Sequence, residues 1–190
     1  TKCIHQDKYG FIWIGSVYGL NLYDGYKIKV FNIDHQNPRA IYGNYVKSIY
    51  EEPDGTMWFG TDIGISKYDR ATQSFSNYIP DTSSVYNRCN KTLKILPYGD
   101  QLWVSVSDGL FLFDKSTGLF QSFKRDTLNP SRGIYYNATN YIFIDRSENL
   151  WVGSSNLDGL AALSKYDKKT GSFIHFPNDP DNPESFNGKE

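Results

Sequence analysis

The chain has two cysteines, one methionine and three histidines in 190 residues, and each scarcity closes off a class of function. Cys3 and Cys89 fall at non-equivalent places in the sequence pattern. A disulfide needs tightly specified geometry, so the two are not expected to be bridged. Two cysteines also say little about compartment. His5, His35 and His175 lie far apart with no metal-ligand spacing between any two, and they read as packing or solvated residues. No apolar run approaches 18 residues, so no membrane span is expected in this segment. The formal net charge is −1, with Lys and Arg spread along the chain, and no basic stripe suggests nucleic acid. No stretch carries a 3.6-residue apolar stripe, which leaves no candidate helix.

What is abundant is aromatic: 15 tyrosines, 12 phenylalanines and four tryptophans. Trp13, Trp58, Trp103 and Trp151 stand 45, 45 and 48 residues apart, each within a similar sentence. A second glycine follows (Gly19, Gly64, Gly109, Gly159), then Tyr23-Asp24, Tyr68-Asp69, Phe113-Asp114 or Tyr166-Asp167. An apolar pair three apart closes the unit: Ile28/Phe31, Phe75/Tyr78, Phe120/Phe123, Phe173/Phe176. A period in the forties marks an array of like units.

Residues 46–78 give the clearest copy. Val46 to Glu51 alternates apolar and polar residues as a half-buried strand does. Pro53-Asp54-Gly55 is a turn, Thr56 to Thr61 a second strand, Ile65 to Tyr68 a third and Ser74 to Tyr78 a fourth. The links are too short for crossover helices, so each unit is a four-stranded antiparallel meander. Such sheets repeated at this period predict an all-β fold, a β-propeller with four blades at about 1–45, 46–90, 91–138 and 139–188. A β-sandwich would also supply the strands but leaves the recurring motif unexplained. Thr1 corresponds to Val46 and Asn187-Gly-Lys189 to Asn44-Tyr-Val46, so both ends fall at the same phase of the repeat, which suggests a stretch of a larger, seven-bladed propeller; a closed four-bladed ring is the alternative.

Chemistry-bearing motifs are few. Gly15 to Gly19 and Gly60 to Gly64 lack the lysine and helix of a phosphate cradle. Asp179-Pro-Asp181-Asn182 lacks the ligand alternation of a calcium loop and reads as a connector, like His35 to Pro38 and Thr127 to Pro130. The Asn90 and Asn137 triplets fit the glycosylation pattern, which matters only in a eukaryotic secreted protein. An aspartate kept after the third strand of every unit is expected to order the following turn. No catalytic residue, metal ligand or cofactor is nominated.

Function is then sought at positions that vary between repeats on one rim. The loop leading into a blade and the loop joining its second and third strands share a face in a propeller. That face draws on Tyr18, Tyr45, Asp62, Arg88, Asp108, Tyr136, Asn156 and Asp158. Planar aromatics beside amide and carboxylate groups make a plausible carbohydrate site. Asn44, Asn90 and Asn137, being near-equivalent, read instead as ordering the start of the inner strand. For Tyr18, Tyr45, Arg88 and Tyr136, scaffold and ligand contact stay equally open.

With the motif laid out, the chain resembles the two-component regulator propeller repeats. Phe11-Ile-Trp13-Ile-Gly15 with Gly19-Leu-Asn-Leu-Tyr23-Asp24, and Glu51-Glu-Pro-Asp-Gly55 with Trp58-Phe-Gly-Thr61, carry the resemblance over all four units. Departures are Ser105 at the first glycine of the third unit, Asn149 at the turn glycine of the fourth, and two extra residues in 154–158. The resemblance implies the periplasmic sensor region of a membrane-anchored hybrid histidine kinase/response regulator. It further implies an oligosaccharide ligand, the remaining blades and a homodimer of the parent as partners, and no enzymatic activity in this segment. A protein-interaction scaffold and a propeller lyase or glycan hydrolase are the competing classes.

Overall fold

The tryptophan strand alternates, and its alternation decides which side of each sheet meets a neighbour. In Ile12–Ser16, Trp13 and Gly15 are buried while Ile12, Ile14 and Ser16 are half-buried on the other side. The structure is a computed structural model, and it describes residues 1–82, 90–179, 181, 182 and 184–186. Cys89 and Arg88 lie outside the described residues, and so does the Cys3–Cys89 pairing question.

Among the described residues sixteen strands form four sheets, each a meander whose order in space follows the sequence. The first holds β1 (Cys3–Gln6), β2 (Ile12–Ser16), β3 (Gly19–Tyr23) and β4 (Ile28–Phe31). The second holds β5 (Ser48–Glu51), β6 (Met57–Gly60), β7 (Ile65–Asp69) and β8 (Ser74–Tyr78). The third holds β9 (Thr92–Tyr98), β10 (Gln101–Val106), β11 (Gly109–Asp114) and β12 (Phe120–Ser122). The fourth holds β13 (Ala138–Ile144), β14 (Leu150–Ser155), β15 (Ala161–Asp167) and β16 (Ser172–Pro177). A 3-10 turn, Pro130–Arg132, lies in a connector.

The chain divides into two compact units, Thr1–Ile95 and Leu96–Glu190, and the same packing recurs inside each. In the first unit Trp13, Leu20 and Phe31 of one sheet meet Met57, Phe59, Tyr68 and Phe75 of the next. Trp13 stacks on Phe31 at 6.0 Å and meets Tyr68 edge-on at 5.1 Å. In the second unit Trp103, Leu110 and Phe123 meet Leu150, Val152, Tyr166 and Phe173, with Tyr166 again edge-on to the tryptophan at 5.1 Å. One face of a blade therefore presents Trp and Phe, and its neighbour answers with a Tyr-Phe face. Offset and edge-to-face ring pairs of this kind add to plain area burial.

The repeated aspartates order turns, as expected. Asp24 accepts from the N–H groups of Tyr26 and Lys27, and Asp69 from those of Ala71 and Thr72. Asp114 accepts from the Ser116 hydroxyl and from the Ser116 and Thr117 N–H groups, and these bonds hold its carboxyl down to about 2.

A second acidic position, six residues before the tryptophan, anchors the indole. Trp13 Nε1 donates to Asp7 at 2.9 Å, Trp58 to Glu52 at 2.6 Å and Trp151 to Asp145 at 2.8 Å. These three copies share a five-residue turn between first and second strands, and its positive-φ residue is Gly10, Gly55 or Glu148 (φ 60°). The fourth-unit residue at the turn-glycine position is therefore Glu148 and not Asn149. Asn149 stands one place later, with its N–H and amide on Asp145. The third copy differs more. Its turn shrinks to Gly99-Asp100, Pro97 stands six residues before the tryptophan in place of the acid, and Tyr98 packs on Trp103 at 5.4 Å. Trp103 Nε1 is buried without a hydrogen-bond partner among the described residues.

An orphaned buried donor costs about 1–3 kcal/mol, so removing the donor while keeping the ring should offset much of the packing lost. We predict that Trp103→Phe destabilises by at least ~1 kcal/mol less than Trp13→Phe, which strands the Asp7 carboxylate. Urea unfolding of the two variants measures the difference, and equal losses would rule this explanation out.

Candidate functional site

The two sets of loops expected to share a rim do adjoin within each unit. In the first, Gly19 N–H donates to Asn44 O at 2.7 Å and Val46 N–H to Ser16 O at 2.8 Å. Thr61 Oγ1 donates to Tyr42 O, and Tyr45 N–H to Asp62 Oδ1 at 3.2 Å. In the second, Thr139 Oγ1 donates to the carbonyls of Val106 and Gly109, Tyr136 N–H to Ser154 Oγ, and Asn140 Nδ2 to Ser155 Oγ. Asn140 marks an irregularity in the β13–β14 register.

The three equivalent asparagines are scaffold. Asn44, Asn90 and Asn137 each accept, through Oδ1, the N–H of a residue just past an outer strand: Ile33, Asp81 and Arg125, at 2.8, 3.0 and 2.7 Å. Each clips the end of one repeat to the start of the next. Asn90 is fully buried, so a glycan on its amide would have no room.

Of the remaining candidates, the first unit assembles Tyr18, Tyr45 and Asp62. Tyr18 is 83 % exposed, with its N–H on Ser16 Oγ. Tyr45 is half-buried beneath two ammonium groups, Lys91 Nζ at 4.3 Å and Lys2 Nζ at 5.5 Å from its ring centre. Asp62 is occupied with the Tyr45 backbone. In the second unit Asp108 pairs with Lys124 at 2.9 Å. Tyr136 meets Tyr135 edge-on at 4.8 Å, with the Arg125 guanidinium 5.7 Å away. Burial pushes the Tyr136 hydroxyl up, helped by Tyr135 and Asp158 and opposed by Arg125. Asn156 Oδ1 accepts from Asp158 and Leu160 N–H, so this pair orders its own loop.

Sequence reasoning overlooked Lys2 and Lys91. Thr92 N–H donates to Thr61 O as Val46 N–H does to Ser16 O, so Lys91 is the counterpart of Tyr45, and Ala138 follows Asn137 in the same place. A position that reads Tyr, Lys and Ala after three successive asparagines was the available signal.

His5 and His175 tie structure together. His5 Nε2 lies 2.7 Å from Glu51 Oε2, joining the two sheets of the first unit. His175 lies between Ser164 Oγ and the Pro130 carbonyl, both at 2.9 Å. In the first unit Asn77 does the same work between Ser66 and the Ala40 carbonyl. Among the described residues no three His, Cys, Asp or Glu side chains converge as a metal site would, and no helix is long and apolar enough to cross a membrane.

Outside the rim, the tryptophan face of the fourth sheet is a shallow apolar hollow lined by Tyr141, Phe143, Trp151 and Leu163. Tyr141 is 78 % and Phe143 63 % exposed. The corresponding Trp13 and Trp103 faces are covered by the next sheet of their units.

With this geometry described, likeness to known proteins can be stated. Residues 43–62 match the family model described as two component regulator propeller, which includes the second repeat's leading loop and Trp58. No curated protein sequence matches the chain. Among solved structures it is similar to the extracellular domains of two hybrid two-component systems from B. thetaiotaomicron. One is 26 % identical at TM-score 0.69, over 90 % of this chain and 24 % of that one. The other is 23 % identical at TM-score 0.61, over 90 % and 29 %. An auxiliary nutrient binding protein from Bacteroides ovatus aligns at 13 % identity and TM-score 0.55, over 91 % and 46 %. The chain thus spans less than a third of the length of the two sensor domains it matches. The four meanders are β-propeller blades, and the resemblance to two-component regulator propeller repeats holds.

Proposed function

We propose that the chain is a ligand-sensing segment of the periplasmic region of a hybrid two-component sensor, and that it recognises an oligosaccharide. The observation that carries this is the contrast on the blades. Residues kept in every repeat are absorbed by turns and interfaces. At the rim the Tyr18 side chain is exposed, and the Tyr45 ring lies against two lysines. The similarity to extracellular sensor domains supports the setting, and the nutrient binding protein supports a small-molecule ligand. The segment acts without catalysis. The close His–carboxylate pair among the described residues, His5–Glu51, is a strut between sheets. The apolar Trp151 face receives a further blade of the same propeller, by analogy with the Trp13 face. A homodimer of the parent sensor would carry the signal inward, since a ligand acts only through differential affinity for two arrangements.

A scaffold that binds polypeptide is the second reading, favoured by Leu157. That side chain is fully exposed at the tip of a loop braced by Asn156. A glycan array separates the two: retention of saccharides without product formation supports sensing, and an empty array with capture of peptide ligands contradicts it.

A further inference from the structure

The first unit gathers positive charge on one ring, with no counter-ion among the described residues. Lys2 and Lys91 come from the leading ends of different strands, yet both ammonium groups lie over Tyr45. Neither has a carboxylate partner within salt-bridge distance among the described residues. Asp62, the carboxylate of this rim, is turned onto the Tyr45 N–H. A third lysine, Lys47, is exposed two residues beyond Tyr45. It matches Lys2 in register: Lys2 N–H donates to Gly15 O and Lys47 N–H to Gly60 O.

The ring face attracts each cation and fixes where it sits. It does not cancel the repulsion between the two, and each ammonium keeps donors free to turn outward. An anion beside the ring offsets that repulsion and takes charge-assisted hydrogen bonds from an ammonium donor. A neutral sugar could stack on an aromatic ring, but here the lysines already cover Tyr45. The arrangement therefore suits a charged substituent better than a bare pyranose face.

We propose that Lys2, Tyr45 and Lys91 form an anion subsite for the carboxylate or sulfate group of an acidic saccharide. This rests on the oligosaccharide reading above and narrows its ligand class. Lys91 carries the larger share, being nearer the ring and half-buried, and Lys47 adds longer-range attraction.

The test is calorimetric titration of the whole 190-residue chain with four probes: tetragalacturonate, its methyl ester, a sulfated chondroitin disaccharide and inorganic sulfate. The expected result is at least 10-fold tighter binding of the acidic saccharides than of the ester, weakening with added salt. Lys91→Gln should remove at least 10-fold of that affinity and Lys2→Gln about 3-fold, with thermal midpoints unchanged. The uronate and sulfate arms show which group the subsite prefers. Equal binding of acid and ester, untouched by Lys91→Gln, overturns the anion subsite and leaves the saccharide reading standing. Lys91-dependent sulfate binding with no saccharide bound overturns the saccharide reading and leaves the anion subsite. Binding of none of the four overturns both.

Discussion

An Asp7→Ala variant is expected to lose about 3 kcal/mol of folding stability, a cost set by breaking a buried, multiply bonded charge. The Asp7 carboxylate is fully buried and accepts four hydrogen bonds. They come from Arg70 at 2.7 Å, the Trp13 indole at 2.9 Å and the N–H groups of Tyr9 and Phe11 at 3.0 Å. It closes its own turn, holds the central tryptophan of the first interface and pins the second sheet through Arg70. Arg70 stacks over Tyr9 at 4.4 Å and is a third exposed, so it can rehydrate when its partner is lost, which keeps the cost at the lower end of the range for buried pairs.

The same group gives stability an acid limb. Burial alone would raise the Asp7 pKa, but Arg70, the Trp13 N–H and the Phe11 N–H outweigh it, and the folded value lies below the ordinary one. A carboxyl depressed in this way stabilises the fold in full above its unfolded value of about 3.9. That contribution is lost as pH falls through the lower folded value. Urea titrations stepped down from pH 7 should therefore show stability falling below about pH 4, and less steeply in Asp7→Ala than in the parent. Parallel curves would assign the acid limb elsewhere.

The second large effect concerns the glycine two residues past each tryptophan. A Cβ on Gly15 would lie 2.6 Å from the Val46 carbonyl oxygen and collide with Cys3 Sγ. On Gly60 it would lie 2.6 Å from Thr92 Cγ2 and 3.0 Å from Ser48 Cβ. On Gly153 the nearest atom, the Tyr141 carbonyl oxygen, is 3.8 Å away. Gly15→Ala and Gly60→Ala should each cost roughly 2–3 kcal/mol through overpacking, and Gly153→Ala less than ~0.5. The third copy already carries Ser105 there, fully buried, so the position is glycine by neighbourhood and not by backbone need. Thermal unfolding of the three variants ranks them directly.

Most of the architecture was legible because the signals that set it are local and written four times. Alternation around Trp58, the Pro53-Asp54-Gly55 turn and the short links specify a meander without knowledge of anything distant. The Asp24, Asp69, Asp114 and Asp167 turns were readable for the same reason: an aspartate reaches the N–H two residues on from its own position. Interface chemistry was not readable, since it joins residues far apart in sequence. Asp7 and Arg70 are 63 residues apart, and the sequence offers no cue that they touch. The fourth turn's glycine counterpart is Glu148, three residues before the tryptophan as Gly10 and Gly55 are, and not Asn149.

Variation between repeats points to the adjoining loops and to Tyr18, Tyr45, Arg88 and Tyr136. It also took in Asp62, Asp108, Asn156 and Asp158, whose polar atoms are engaged with backbone, a lysine or their own turn. It passed over Lys2 and Lys91 because evenly spread lysines look like solvated surface. Only folding two strand ends together places both over one ring.

The central claim is that repeated residues build the blades while the unrepeated rim of the first unit holds the ligand. A crystal structure of the chain soaked with tetragalacturonate tests it most directly. Sugar density beside Tyr45, with a carboxylate within hydrogen-bond reach of Lys91, is the predicted result. Density confined to the outer edge of the sheets or to the Trp151 face, with the Tyr45 rim bare, would contradict it.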